Sequence, residues 1–140
     1  MSSRFRVSFP ADGRHLKPLR DWCRIYLERA LPSPRLDDLI LAVTEACANT
    51  IEHCCNGNQE REVEIEFEVE RDGVRARIQS FCLAALLHQI RSRPLDEVRP
   101  RGLGMRFIEN SVDKVEYVDQ KDGYLSLVLT KKRKGRSRGG

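Results

Sequence analysis

An α+β two-layer sandwich, with a mostly antiparallel sheet and helices on one face, is the fold class this sequence predicts. Three observations carry it. Stretches that alternate apolar and polar residues come in pairs joined by hairpin turns. Two stretches in the first half repeat apolar residues at helical spacing instead. The order of the two kinds, β-α-α-β-β and later α-β-β, clusters the helices between strands that pair with their sequence neighbours. At 140 residues and 40% hydrophobic, the chain has the size of one domain with one core.

Each element has a local reason. Arg4–Phe9 alternates, placing Phe5, Val7 and Phe9 on one side, and Pro10 ends it. Asp12 is a cap for the first helix, where Pro18 fits only within a first turn. Leu19, Trp22, Cys23, Tyr26, Leu27 and Ala30 form a helical stripe to about Leu31. Pro32-Ser33-Pro34 breaks the chain, with Ser33 a candidate cap for the next helix, Leu36–Cys55. Glu62–Arg71 puts Val63, Ile65, Phe67 and Val69 inward and glutamates outward. Arg71-Asp72-Gly73 turns the chain back into Val74–Ile78. Met105–Val112 reads as a short helix, Asp113–Asp119 as a strand, Lys121-Asp122-Gly123 as a turn and Tyr124–Thr130 as the closing strand.

Composition bounds the rest. No apolar run approaches the ~20 residues of a membrane span. The first ten residues, MSSRFRVSFP, hold no signal-peptide core, so a cytoplasmic location is expected. Six positives, Lys131, Lys132, Arg133, Lys134, Arg136 and Arg138, follow the last strand; removing them from a net charge of +4 leaves −2. The expected division is therefore a folded domain over residues 1–130 and a basic, disordered tail over 131–140. No aromatic or groove-reading element accompanies the tail, which argues against specific nucleic-acid binding. The five cysteines are odd in number and include no CxxC pair, which argues for reduced thiols.

The chemistry gathers on the Leu36–Cys55 helix. Leu36, Leu39, Ile40, Val43, Cys47, Thr50, Ile51 and Cys54 fall within a stripe about 120° wide. Asp38, Ala42, Glu45, Asn49 and, at the margin, His53 lie opposite. Glu45, Asn49 and His53 are four apart in turn, so they stack on successive turns, with small Ala42 and Ala46 beside them leaving room for a ligand. A solvated polar face has the same spacing. A second feature stands about 55 residues downstream, the glycine-rich turn Arg101-Gly102-Leu103-Gly104-Met105 that opens a helix. Glycines there let a backbone approach phosphates, although a plain loop-to-helix turn looks alike.

Together AVTEACANTIEH and RGLGMRFIENSVDKVEY resemble the N box and second glycine box of the GHKL ATPase superfamily. The nearest likeness is to the anti-sigma-factor serine kinases of the SpoIIAB/RsbW type, over about residues 4–130. The resemblance implies the GHKL, histidine-kinase-like ATPase fold and a regulator that binds a sigma factor, an anti-sigma-factor antagonist, or both. It implies ATP and Mg²⁺ as cofactors, and it extends to homodimers, for which Phe5, Val7 and Phe9 offer a seam. Carried over by position, Glu45 is the general base and Asn49 the Mg²⁺ ligand. Arg101, Gly102, Leu103 and Gly104 hold phosphates, and Ser80 stands in the base pocket.

The pattern departs from the family at that pocket. Its first glycine box is Asp-x-Gly, where the Asp reads the adenine amino group and the Gly lets the ring approach. Here Ser80 and Cys82 occupy those places. A hydroxyl brings no charge and less reach, and Cys82 with Phe81 adds bulk. The run Phe81–Leu87, where the family has a nucleotide lid, is apolar enough to pack over the cleft or to meet a partner. Three functions therefore stay open: a working serine kinase, a pseudokinase that acts as a protein-binding module, and a stand-alone histidine-kinase-type ATPase domain.

Overall fold

A computed structural model describes residues 3–55, 61–80, 105–119 and 125–134. Among these, five strands form one wholly antiparallel sheet: β1 (Ser3–Pro10), β2 (Glu62–Glu70), β3 (Gly73–Ser80), β4 (Lys114–Asp119) and β5 (Leu125–Lys132). Their order is β1-β2-β3-β5-β4. Helices α1 (Leu16–Leu27), α2 (Ser33–Asn49) and α3 (Met105–Ser111) share one core with a single face of that sheet. This is the α+β sandwich, in the element order that the alternation and turn signals predict.

Register explains the layer. Val7, Ile65, Ile78, Leu127 and Tyr117 lie in one cross-strand row, and Phe5, Phe67, Ala76, Leu129 and Val115 in the next. Side chains directly opposite one another share a face, so both rows meet the helices. Small Ala76 beside large Phe67 lets the layers interdigitate at the central strand. From α1, Trp22 reaches Phe67 at a centroid distance of 5.3 Å and stacks on Tyr26 at 4.8 Å. The other face alternates charge: Arg6 pairs with Glu64 at 3.3 Å and Glu66 at 3.1 Å, and Arg4 with Glu68 at 3.7 Å. Such exposed pairs add little stability each, but charged residues on edge strand β1 discourage further strand pairing.

Local chemistry sets the ends. Asp12 accepts from the Arg14 amide at 3.0 Å and caps a single 3₁₀ turn, Gly13–His15, that leads into α1. Pro18 is the third residue of α1, within its first turn. Ser33 is not the cap of α2: it is the first residue of the helix, and the cap position is held by Pro32, which makes no side-chain capping bond. Gly73 is required where β3 meets β5, because a Cβ there would strike the Lys131 carbonyl and lie 2.8 Å from the Lys132 Cα.

Two sequence boundaries are corrected. The Leu36–Cys55 helix is α-helical only to Asn49; Thr50–Cys55 forms a wider π-helical turn. The closing strand does not stop at Thr130, since Lys131 and Lys132 belong to β5. Lys131 points into the helix layer, pairing with Val74, and is only 5% exposed.

Candidate functional site

The site is built on α2, whose buried arc is wider than the apolar stripe. Leu36, Leu39, Ile40, Val43 and Cys47 enter the core as their spacing requires. Ala42, expected on the open side, is 0% exposed, Ala46 is buried beside it, and Asn49 is 7% exposed. The physical reason is α3, which packs against α2 in addition to the sheet and α1. Alanines are small enough to let two helix backbones approach, so Ala42 and Ala46 serve a helix contact and leave no space of their own for a ligand. Glu45 stays half-buried at the edge of this arc, and Asp37, Asp38 and Leu41 continue the accessible side. Glu45 and Asn49 thus sit one turn apart on the seam between covered and open surface.

The turn after Asn49 has its own geometry. Thr50 is buried, its hydroxyl donates to the Ala46 carbonyl at 3.0 Å, and its amide donates to the carbonyls of Ala46 and Cys47. A π-helical turn holds more residues than an α-helical one. The regular four-residue spacing of Glu45 and Asn49 therefore ends at this turn. Insertions of this kind occur often at functional positions, and this one begins directly after Asn49.

A polar clamp sets where α2 starts. Arg35 Nη2 donates to Asp113 Oδ2 at 2.8 Å and Arg35 Nε to the Lys132 carbonyl at 2.6 Å, while the Lys132 amide donates to Asp113 Oδ2 at 2.7 Å. One turn on, Lys131 Nζ donates to the Ser111 carbonyl at 2.6 Å and to Asp38 Oδ2 at 3.3 Å. Burial pushes the Asp113 carboxyl up, but the Lys132 amide and the Arg35 guanidinium outweigh it, leaving the group below its ordinary range. Asn49 lies eleven residues, about 16 Å, along the helix from Asp38. Ser80 lies six residues, about 20 Å, along β3 from Val74, the partner of Lys131. Glu45, Asn49 and Ser80 are all carried away from the clamped corner.

Of the residues that sequence assigns to the site, Glu45 and Asn49 are placed together on α2, and Ser80 ends β3 opposite Leu125. Arg101, Gly102, Leu103, Gly104, Cys82 and the Phe81–Leu87 run lie outside the described residues. Asp38 and Lys131 were missed as a pair. Continuing the strand alternation through Leu127, Leu129 and Lys131 finds the second of them; the first has no sequence signal.

With helices on one sheet face and a carboxylate–amide pair at the end of a buried helix, the chain has the form of an ATPase domain of the histidine-kinase type. It belongs to that family: the model of the histidine kinase-like ATPase domain matches residues 9–131. Among individual relatives it is similar to the serine-protein kinase RsbW of Listeria innocua, 30% identical over 105 residues, 69% of this chain and 65% of that protein. RsbW of Oceanobacillus iheyensis is 29% identical over 93 residues, 61% of this chain and 59% of its own length. RsbW of Bacillus velezensis is 27% identical over 104 residues, 69% and 64%. The chain thus spans 59–65% of the length of these curated relatives. Among the described residues, no helix is long and apolar enough to cross a membrane.

Proposed function

We propose that this protein is an anti-sigma-factor-like regulator of the RsbW type, which binds a sigma factor, an anti-sigma-factor antagonist, or both, and carries a nucleotide cleft of reduced affinity. The observation that carries the reading is Glu45 and Asn49, one helical turn apart at the end of α2, in a chain matched to the ATPase family over residues 9–131. Carboxylate and amide oxygens are the hard donors that Mg²⁺ takes, so the pair fits Mg²⁺-ATP in donor chemistry. Asn49 would hold the metal, and Arg101 with Gly102, Leu103 and Gly104 would hold the phosphates. Bound Mg²⁺-ATP supplies a transferable phosphoryl group with its charge neutralised. Glu45 then takes the proton from the attacking hydroxyl, a serine of the antagonist protein. Its half-buried position limits water around the carboxylate while leaving one side open to a partner.

The second reading, a pseudokinase acting by contact alone, is favoured by Ser80 and Cys82 in the places of Asp and Gly. A hydrogen bond to a charged group is worth roughly 1.5–3 kcal/mol. Affinity for Mg²⁺-ATP should fall about tenfold to a few hundredfold below that of a site holding the Asp. Calorimetric titration of the wild type, Asn49→Ala and the double variant Ser80→Asp/Cys82→Gly separates the readings. Tighter binding by the double variant supports the weakened cleft. Tight wild-type binding that Asn49→Ala abolishes makes the protein a working kinase with an altered base pocket, and no binding by any form makes it a pseudokinase. Phe5, Val7 and Phe9 do not offer the expected homodimer seam, because they face the helix layer, with Phe9 buried and Phe5 and Val7 packed on the core. A homodimer would have to use other apolar surface, such as exposed Ile25 (68%) and Tyr26 (53%) of α1, and a monomer in sedimentation at high micromolar concentration would refute it.

A further inference from the structure

We propose that Lys131 is a positioning residue for the nucleotide site: it sets α3 against the helix that carries Glu45 and Asn49. The inference rests on the nucleotide reading above and adds to it a residue outside all the family boxes. Lysine is rarely buried to this degree unless paired, and here the ammonium is spent on two elements at once. It donates at 2.6 Å to the carbonyl of Ser111, the last residue of α3, and meets Asp38 of α2 at 3.3 Å.

The need for such a tie comes from the size of α3. Seven residues are too few for a helix to hold itself. Its described apolar anchors are Ile108 and the adjoining Val112, both buried. Apolar contacts fix depth well and sliding or rotation poorly, because they have little directionality. The bond from Lys131 to the final carbonyl supplies direction, and a cation at that end also matches the helix dipole. Ser111 turns its own hydroxyl back on the Phe107 carbonyl at 2.7 Å, so its carbonyl is tied to α2 through the Lys131 ammonium, beside the Arg35–Asp113 pair two residues on.

The consequence reaches the site through α2. Asp38 and Glu45 are seven apart, two turns along one face of α2, so a tie on Asp38 fixes the helix from which Glu45 and Asn49 project. At its other end α3 comes directly after Gly102, Leu103 and Gly104 in the chain. Moving α3 by an ångström changes its packing against the helix that presents Glu45 and Asn49. Misplacement on this scale is costly for a group transfer that depends on positioning.

The test is Mg²⁺-ATP titration of four full-length proteins, with hydrogen exchange read on the α3 amides. Lys131→Met keeps the stem and removes the ammonium; it is expected to weaken binding about tenfold and to speed exchange in α3 while β2 and β3 stay protected. Lys131→Arg retains a cation of similar reach and is expected to stay within about twofold of wild type. Phe5→Ala removes packing against Trp22 and Tyr26 on edge strand β1, the sheet edge opposite β4, and controls for stability: it should melt earlier with affinity unchanged. Equal affinity in Lys131→Met and wild type overturns the proposal, as does an equal loss in Phe5→Ala. Should Lys131→Met fail to fold, Asp38→Asn, at a half-exposed position, is expected to weaken binding about threefold, and no change there overturns the proposal. No binding by wild type refutes the nucleotide reading and the effect on affinity with it. Exchange then decides the clamp alone, and unchanged α3 amides in Lys131→Met or Asp38→Asn overturn it.

Discussion

Ala42→Leu tests the point at which structure and spacing disagree. From spacing, Ala42 flanks Glu45 and Asn49 and leaves room for a ligand; in the fold it has no exposed surface, one turn after Asp38 on a helix that packs against α3. The substitution adds three carbons, and the sign of its effect depends on which environment they enter. In an open cleft they gain part of the roughly 0.8 kcal/mol available per buried CH₂ group, so stability is unchanged or slightly raised. Against α3 they overpack a filled contact, which costs about 1–3 kcal/mol. For a domain of this size that corresponds to a melting shift of very roughly 3–5 °C per kcal/mol. Urea denaturation followed by fluorescence gives a clean measure, since Trp22 is the only tryptophan and sits against Phe67 in the core. The linear extrapolation gives the free-energy difference if the slope is unchanged. Leu41→Ala, one residue away on the accessible side, is the control and should change stability by about 0.5 kcal/mol or less. A neutral or stabilising Ala42→Leu would refute the account of α2, returning Ala42 to the cleft and removing the reason given for the burial of Asn49.

Two further outcomes come from the titrating groups. Burial pushes the Cys23 thiol up to about 12 and raises Cys47 further, with Cys23 adding to the effect. At pH 8 about one Cys23 in ten thousand is thiolate, so both residues should resist alkylation in the native protein, read by peptide mapping, and react once urea unfolds it; native labelling of Cys47 would contradict the core. Asp113 is held below its ordinary value of 3.8, so its contribution is fully present above that pH and is lost as pH falls through the lower folded value. Asp113→Asn should therefore be less stable than wild type at neutral pH, with the gap closing progressively below about pH 3.8, and a gap that persists at pH 2 would refute the assignment.

The sheet was legible because its signals are local. Strict alternation in β2 and the Arg71-Asp72-Gly73 turn define a hairpin without knowledge of any neighbour. The same logic carries one face of α2, where Leu36, Leu39, Ile40, Val43 and Cys47 are buried as their periodicity requires. It fails where a second helix arrives from a distance. An alanine facing a cleft and an alanine facing α3 have the same sequence, so Ala42 and Ala46 could not be assigned from period alone. The π-helical turn after Asn49 was equally silent, because it changes the number of residues per turn and leaves the apolar pattern ambiguous. Lys131 was misjudged for a different reason: a run of basic residues reads as a solvated tail, and its first members close the sheet.

That misjudgement bears on how the two halves of the molecule are joined. Leu36–Cys47 and the β2–β3 hairpin specify a core that would hold the position of α2 over the sheet, yet neither contacts the end of α3 through a directional bond. The joining is done by β5, the last strand in the chain, inserted between β3 and β4. Its insertion brings the Lys132 backbone to Arg35 and Asp113, and the Lys131 ammonium to Asp38 and Ser111. Of the polar contacts between α2 and the end of α3, the Arg35–Asp113 pair is independent of β5, and the others become available only when the C-terminal strand has paired. A chain cut before Lys131 would keep the N-box helix, the start of α3 and the Arg35–Asp113 pair, but lose the Lys131 and Lys132 contacts that complete the clamp. The position of Glu45 and Asn49 relative to the glycine-led helix is thus a property of the completed sheet, and no single box contains it.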